Sequence, residues 1–316
     1  MSTTSTSVAP GRESVSRPGG TAQRRPRKVA RTVVRILPLA PAVVLLLLFM
    51  AGPVLWSLYG SFTNAALTGP NAKDPQWIGA DNYVRLLQDP DFPRSVVLTV
   101  VFVLFSAVIG QNVLGMALAL LMTRASGGVS ALIGGVVVAA WVLPEIVAAF
   151  VMYAFFTGEG TLNQLLGLVG VDGPNWLFVA PMFAVILANI WRGTAFSMMV
   201  YRAALDDVPP EIVEAAQIDG AGPAQRLFRI TLPVIKGTIA TNLMLITLQT
   251  LSVFTLIFVM TAGGPSNRSM TLPLLAYEEA FNFLDVGYGT AIATVMLLVG
   301  VLFSVVYIRM LRPGRD

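Results

Sequence analysis

The sequence predicts an all-α integral membrane protein with six transmembrane helices. Its composition indicates this class, because 55% of the 316 residues are apolar and only 12% are charged, whereas about a quarter of an average soluble domain is charged. The apolar residues are also concentrated in long runs, and about 20 of them in sequence are enough to cross the hydrocarbon core of a bilayer. Most of the side-chain surface is therefore expected to face lipid or other helices.

Six stretches have the length of a span and carry at most one charge. We predict spans at residues 37–60, 95–122, 129–156, 179–201, 238–260 and 288–310. The first run is longer than the roughly 7–15 apolar residues of a cleaved signal peptide, so we expect it to remain as a span. Buried helices of soluble domains average about 11–12 residues, which is much shorter than these runs.

Residues 1–30 differ from the rest of the chain. They are rich in Ser, Thr, Pro, Gly and Arg and contain few apolar side chains. Segments of this composition cannot bury enough apolar surface to offset the entropy of ordering. We therefore predict a disordered basic tail over residues 1–30 and a transmembrane domain over residues 31–316.

Lys and Arg are distributed unequally between alternate connections. If the N-terminus is inside, 16 of the 21 lie on that side, four lie on the other side, and Arg192 lies within a span. Positive residues are retained preferentially in the cytoplasm. We therefore predict that both termini are cytoplasmic and that the connections 61–94, 157–178 and 261–287 are external, whereas 123–128 and 202–237 are cytoplasmic.

Several kinds of chemistry are excluded by composition. The chain has no Cys and no His, so it cannot form a thiolate or imidazole metal site, a disulfide or a Ser-His-Asp triad. An ATP-binding phosphate loop ends in Gly-Lys-Ser/Thr, and none of Lys28, Lys73 and Lys236 has that context. We therefore expect no catalytic residue, no metal and no cofactor in this chain. Its basic residues lie mainly near span ends, which favours a lipid bilayer and not nucleic acid as the surrounding partner.

The connection 202–237 has the pattern of two short helices. Asp206 and Asp207 are expected to cap a helix that begins at Pro209 and Pro210. Gly220 is expected to end it, and a second helix is predicted from Pro223 to Ile230, with Pro233 marking a break before the fifth span. On pattern alone, an amphipathic helix of this kind is typical of a segment lying in the headgroup region.

The spacing of residues in this connection is more specific than its helical pattern. Glu214-Ala215-Ala216 is followed after three residues by Gly220, and after nine more by Ile230, Leu232 and Pro233. This pattern resembles the EAA motif of the permease subunits of binding-protein-dependent ABC importers. Other segments resemble the carbohydrate-uptake branch of that family, namely WIGADNYVRLLQDPDF (77–92), GTLNQLLGLVG (160–170), TAGGPSNRSMTLPLLAYEEAF (261–281) and VGYGTAIA (286–293).

The resemblance implies a fold, a function and a set of partners. The fold is the type I ABC importer permease architecture, and the function is passage of a sugar across a bacterial plasma membrane. The implied partners are two copies of an ABC ATPase that binds ATP and Mg, a second permease subunit, and an external solute-binding protein on connections 61–94 and 261–287. The second permease is either a different homologous chain, which the resemblance favours, or an identical copy. The EAA residues would seat in the ATPase; they are Glu214, Ala215, Ala216, Asp219, Gly220, Ile230, Leu232 and Pro233.

Two ionisable residues lie near the middle of predicted spans. Placing a charged side chain at the centre of a transmembrane helix costs about 2.5–3.5 kcal/mol on insertion scales. We therefore expect Glu145 and Arg192 to approach each other or to share one polar cavity. They either join helices or line the solute pathway, and Pro144 is expected to open the third span beside them. The pathway candidates are Glu145, Asn189, Arg192, Gln249, Tyr153 and Phe254, although aromatic residues are also common as core or interface anchors.

Three alternatives remain open from the sequence. Glu145 is also a feature expected of a secondary transporter that uses an ion gradient, but no inverted repeat is evident and the EAA-like pattern is complete. A membrane-embedded enzyme is disfavoured because no nucleophile and base share one depth. An ABC permease for an amino acid, phosphate or peptide is less consistent with the carbohydrate-like segments.

Overall fold

The computed structural model describes residues 37–311, and the tail predicted over residues 1–30 lies outside the described residues. Regular structure in the described part is helical apart from one isolated bridge between Thr63 and Trp77. Five of its helices are long and apolar enough to cross a membrane, or six if one bent pair counts as a single span. The predicted all-α membrane class is therefore confirmed.

The described residues divide into two units, with the boundary between Pro53 and Val54. The first labelled helix, α1, runs over Ala40–Gly60 and includes one π-helical stretch at Leu47–Ala51. Its bounds lie within the predicted run 37–60. Composition explains this helix. The helical conformation pairs the backbone N–H and C=O groups within the segment, and the run of Val, Leu, Phe and Met presents apolar side chains to lipid.

The second unit includes the following helices: α2 Asp91–Arg124, α3 Gly127–Val142, α4 Glu145–Phe156, α5 Pro181–Asp206, α6 Pro210–Ile218, α7 Pro223–Val234, α8 Lys236–Leu251, α9 Thr255–Thr261 and α10 Val286–Leu311. The second, fourth and sixth predicted spans correspond to α2, α5 and α10. The membrane side on which α6 and α7 lie is called the α6–α7 side below.

The third predicted span, 129–156, is not one helix. It is divided into α3 and α4 at Leu143 and Pro144, whose ψ angles of 135° and 140° are far from helical. Pro144 has no N–H to donate to the preceding turn, and its carbonyl accepts the first bond of α4 from Ala148 N–H at 3.0 Å. The break at Pro144 is the opening that the sequence predicts.

The fifth predicted span, 238–260, is also divided, and no residue pattern in the sequence predicts this break. Helix α8 ends at Leu251 and α9 begins at Thr255, with no proline between them. The last turn of α8 tightens, since Ser252 N–H donates to Gln249 O at 3.3 Å and Val253 N–H donates to Thr250 O at 3.1 Å. Such three-residue bonds are common where a helix ends.

Helix α5 is the central element of the second unit, and α2 packs closely against it. Gly115 on α2 has no room for a side chain, because an added Cβ would lie 2.6 Å from Ser197 Cβ. A Cβ added to Gly110 would likewise lie 2.3 Å from Ile190 Cδ1. Small residues allow membrane helices to approach at backbone distance, so these glycines set the α2–α5 spacing.

The connections remote from α6 and α7 are joined by a polar cluster. Arg85 Nη1 donates to Asp285 Oδ2 at 2.5 Å, and Arg85 Nη2 lies 3.6 Å from Glu279 Oε2. The Arg85 guanidinium also lies 3.9 Å from the centre of the Tyr288 ring, and the Tyr288 hydroxyl donates to Asp89 Oδ2 at 2.7 Å. Burial raises the pKa of the Glu279 carboxyl in this cluster above its ordinary value, although Arg85 opposes the change.

Candidate functional site

A polar cavity of about 230 Å³ lies where the two divided spans meet. One wall comes from the α3–α4 break, a second from the α8–α9 break, and the others from α2 and α5. Four of the six pathway candidates line it, namely Glu145, Asn189, Arg192 and Gln249. Broken helices at membrane depth are tolerated where they line a water-accessible cavity, so the two breaks and the cavity are one feature.

Glu145 has two partners in this cavity. Its Oε2 lies 4.0 Å from Arg192 Nη2, and its Oε1 accepts the Leu256 N–H of α9 at 3.3 Å. The two charged side chains are only 30% and 26% exposed. Arg192 Nε is buried and has no hydrogen-bond partner among residues 37–311.

A frame of amides holds the cavity on the α2–α5 side. Gln111 Nε2 donates to Asn189 O at 3.0 Å, and Asn189 Nδ2 donates to Ser106 Oγ at 2.9 Å. Gly193 makes room for this frame, because a Cβ there would lie 2.4 Å from Gln111 Cδ. The side chain of Asn189 is 4% exposed, so its contact with a solute would be limited to the cavity face.

The two aromatic pathway candidates lie elsewhere. Tyr153 is on α4 with 45% of its surface exposed, and it does not line the cavity. Phe254 stacks on Phe258 at 5.2 Å between ring centres and contacts Tyr277 at 4.9 Å, which is the packing of a core residue. The structure therefore does not bring these two rings to the cavity.

The structure also adds cavity residues that are not among the pathway candidates. They are Gln111, Trp141, Gly193, Phe196, Thr250, Ser252 and Val253. Gln111 and Thr250 are polar residues within spans, but such residues commonly join helices. Trp141 and Phe196, whose ring centres are 6.3 Å apart, have residue types that are ordinary in any span, so no sequence signal separates them from lipid anchors.

The connection predicted over residues 202–237 starts later than the sequence predicts. Residues 202–206 belong to α5. Arg202 Nε donates to Asp206 Oδ2 at 2.8 Å one helical turn away, a contact that supports this last turn by about 0.3–0.5 kcal/mol. The expected capping of α6 by Asp206 and Asp207 is wrong, since the N-cap position is Pro209 and no side chain bonds to it. Helix α6 instead starts with the preset φ of Pro210.

The α6–α7 turn is fixed at both of its ends. Gly220, with φ of +81°, follows α6, where Ala221 N–H donates to Ala216 O at 2.9 Å and Gly220 N–H donates to Gln217 O at 3.0 Å. These bonds form a Schellman motif. Gln225 Oε1 then accepts the Gly222 N–H at 3.1 Å at the start of α7. The segment therefore has a defined shape.

Helix α7 continues beyond the predicted end at Ile230. It runs to Val234 and includes a π-helical stretch at Leu227–Thr231. This stretch lies just before Pro233, which has no N–H and therefore leaves one helical hydrogen bond unmade. The bend of 69° between α7 and α8 falls at Ile235, two residues after Pro233.

The EAA residues differ in exposure. Glu214, Ala215, Asp219, Gly220 and Pro233 are exposed, whereas Ile230 and Leu232 are half-buried. Ala216 is 8% exposed and packs inside the chain, so of the two alanines only Ala215 is open to a partner surface.

Comparisons with known proteins agree with this arrangement. The sequence profile of the family described as binding-protein-dependent transport system inner membrane component matches residues 111–315. The chain is 34% identical to the sulfoquinovosyl glycerol transport system permease protein SmoG of Agrobacterium fabrum, over 89% of this chain and 91% of that protein. It is 31% identical to the trehalose/maltose transport system permease protein MalF of Thermococcus litoralis, over 89% of this chain and 94% of that protein.

A solved structure has the same fold. The chain superposes on a bacterial ABC transporter involved in the import of the acidic polysaccharide alginate with a TM-score of 0.76, covering 92% of this chain and 100% of that chain at 24% identity. The chain also superposes, with a TM-score of 0.74 at 22% identity, on a bacterial alginate ABC transporter solved in complex with an alginate pentasaccharide-bound periplasmic protein. The type I importer architecture therefore describes this chain.

Proposed function

Because the chain belongs to the family of binding-protein-dependent transport system inner membrane components, we propose that the cavity around Glu145 and Arg192 is its part of a sugar pathway. The chain is a multi-pass permease subunit of an ABC sugar importer. The two curated relatives described above are named for a sugar glycoside and for disaccharides. An oligosaccharide or related glycoside is the solute class that follows.

The main support for this proposal is that charged and amide side chains converge at the two helix breaks. Glu145, Arg192, Gln249 and Gln111 surround one cavity at mid-span, and together they offer donors and acceptors suited to sugar hydroxyls. The cavity on this chain measures about 230 Å³, below the range of roughly 300–1,000 Å³ that is usual for small-molecule sites. This size supports a pathway completed by a second permease subunit, which is a homologous chain or a second copy of this one.

The energy source is proposed to lie in partner subunits. Two copies of an ABC ATPase would bind ATP and Mg. Glu214 and Ala215, on the exposed face of α6, and Asp219, directly after the helix, would contact them. The capped turn at Gly220 supports this assignment, because a segment of fixed shape transmits movement that a loop without fixed shape would absorb. The charge bias supports a plasma-membrane orientation with both termini and α6–α7 in the cytoplasm.

An external solute-binding protein is the remaining partner. It would dock on connections 61–94 and 261–287, which are on the side opposite α6 and α7. The ion pair between Arg85 and Asp285 supports this surface, since it joins the two connections into one platform.

The proposal is tested by reconstituting this chain in liposomes with its ATPase, second permease and binding protein. Uptake of labelled oligosaccharides is then measured against a panel that also includes an amino acid, phosphate and a peptide. We expect uptake of a glycoside that requires ATP and survives an ionophore. Uptake that ignores ATP and collapses with the ionophore would establish an ion-coupled transporter, and uptake of a non-sugar alone would refute the solute class.

A further inference from the structure

A second pocket lies on the α6–α7 side, away from the solute cavity. It has a volume of about 330 Å³ and is formed by the ends of α2 and α5 together with the α6–α7 segment. Arg124, the last residue of α2, and Arg226, in the first turn of α7, both line it. The pocket therefore lies at the level where two spans leave the membrane.

The charge of this pocket is uncompensated within the described part of the chain. No carboxylate is among its lining residues. Neither Arg124 nor Arg226 forms an ion pair among residues 37–311, where the four ion pairs involve Arg85, Arg192 and Arg202. Two arginines lining one pocket favour an anion with several acceptor oxygens, and the planar guanidinium fork matches the oxygens of phosphate as well as those of carboxylate.

The rest of the lining is mostly apolar. Leu120, Leu205, Val208, Val213 and Leu227 form the walls, and Thr231 adds a hydroxyl. An inorganic anion gains nothing from such walls, whereas an amphiphile places its charged head on the arginines and its apolar part on the leucines. Basic pockets between membrane helices on the cytoplasmic side bind anionic lipid headgroups.

We propose that this pocket binds the phosphate headgroup of an anionic phospholipid from the leaflet on the α6–α7 side. The lipid would bridge Arg124 on a spanning helix and Arg226 on the α6–α7 segment. Its binding would therefore fix the position of α7 relative to α2. The membrane leaflet named here rests on the proposed orientation, but the binding itself depends on neither the solute nor ATP.

The test is native mass spectrometry of the full chain in detergent with equimolar phosphatidylglycerol and phosphatidylcholine. Phosphatidylglycerol is expected to be retained preferentially by the native chain. In the double variant Arg124→Gln/Arg226→Gln, the preference is expected to fall about tenfold to thirtyfold, since two cations near an anionic headgroup are lost. An Arg124→Lys/Arg226→Lys variant, which keeps both charges, is expected to retain most of it.

A matched control removes two charges from the same side outside the pocket. Arg229→Gln/Arg309→Gln is expected to keep the native preference, and an equal loss in this control would overturn the proposal by showing a general surface-charge effect. Unchanged phosphatidylcholine binding and unfolding temperature show that each variant is folded. A native-like preference in the Arg124→Gln/Arg226→Gln variant would also overturn the proposal, as would displacement of the lipid by excess inorganic phosphate, which would identify a free-phosphate site.

Discussion

At the scale of single residues, the cavity is lined by side chains that contact more than one other helix. Glu145 faces Arg192 across 4.0 Å and also accepts the Leu256 N–H, so one carboxylate connects α4, α5 and α9. The sequence indicates Glu145 and Arg192 because charges are conspicuous in apolar spans. It does not distinguish Trp141 or Phe196, because the same residue types occur wherever helices face lipid or core.

The two partners of Glu145 can be separated by substitution. Glu145→Gln keeps an acceptor for the Leu256 N–H but removes the charge opposite Arg192, so we expect a stability change below about 1 kcal/mol. Sugar uptake is expected to fall at least about tenfold, a loss of about 1.4 kcal/mol. Glu145→Ala removes both contacts and is expected to cost about 1–2 kcal/mol of stability as well. Uptake in liposomes and thermal unfolding in detergent measure the two effects.

An exchange of the charges provides the control. If Glu145→Arg/Arg192→Glu folds and assembles but does not transport, the pair contributes to the pathway and not only to helix packing. Full transport by the exchanged variant would contradict the pathway role.

Gly193 gives a steric prediction at the same scale. In Gly193→Ala, the new Cβ would overlap the Gln111 side chain, which it would approach to 2.4 Å. The Gln111 bond to Asn189 O must then shift, and we expect a loss of about 1–3 kcal/mol in unfolding free energy. Gly135→Ala is the matched control, because nothing lies within 4 Å of an added Cβ there and alanine is the better helix former. Equal unfolding temperatures for the two variants would contradict this prediction.

At the scale of elements, the sequence predicts where spans lie better than where they break. The break at Pro144 is visible because proline removes a donor from the helical ladder. The break at residues 252–254 is not, because α9 begins where Glu145, 111 residues earlier, accepts the Leu256 N–H. The sequence also places the end of α5 too early, because the predicted span follows the apolar run, whereas the helix continues through polar residues to Asp206. Neither a contact between distant residues nor a helix that extends beyond its apolar run can be read from hydropathy.

The α6–α7 turn gives a prediction at this scale. Gly220 has φ of +81° and nothing within 4 Å of an added Cβ, so Gly220→Ala introduces backbone strain without a clash. The expected cost is about 1 kcal/mol or more, with weaker coupling of ATP hydrolysis to uptake. Gly220→Asn is expected to be milder, because asparagine adopts the left-handed conformation more readily. ATP hydrolysed per sugar transported, compared between the two variants, measures the effect, and equal ratios would contradict it.

At the scale of the whole molecule, the polar cluster around Arg85 joins segments about 200 residues apart in sequence. Burial raises the pKa of Glu279, so the folded state holds this proton more tightly than the unfolded chain does. Its contribution to stability is therefore present at acid pH and is lost as the pH rises through the raised pKa.

Glu279→Gln tests this sign. The variant keeps a neutral group at every pH, so its unfolding temperature minus that of the native chain is expected to increase from about pH 4.5, the ordinary value for glutamate, to neutral pH. Thermal unfolding at several pH values measures the difference. A difference that stays constant or decreases over this range would contradict the assignment.

The two helix breaks have a mechanical consequence. Beyond the breaks, α4 and α9 pack on each other and join at Glu145, while α3 and α8, each 16 residues long, extend toward the α6–α7 side. The hydrogen-bond ladder is interrupted at each break, and hinge movements are absorbed by a few residues at the ends of such elements. We expect the breaks to act as paired hinges, so that tilting of α3 and α8 opens one half of the bundle while the other half stays in place.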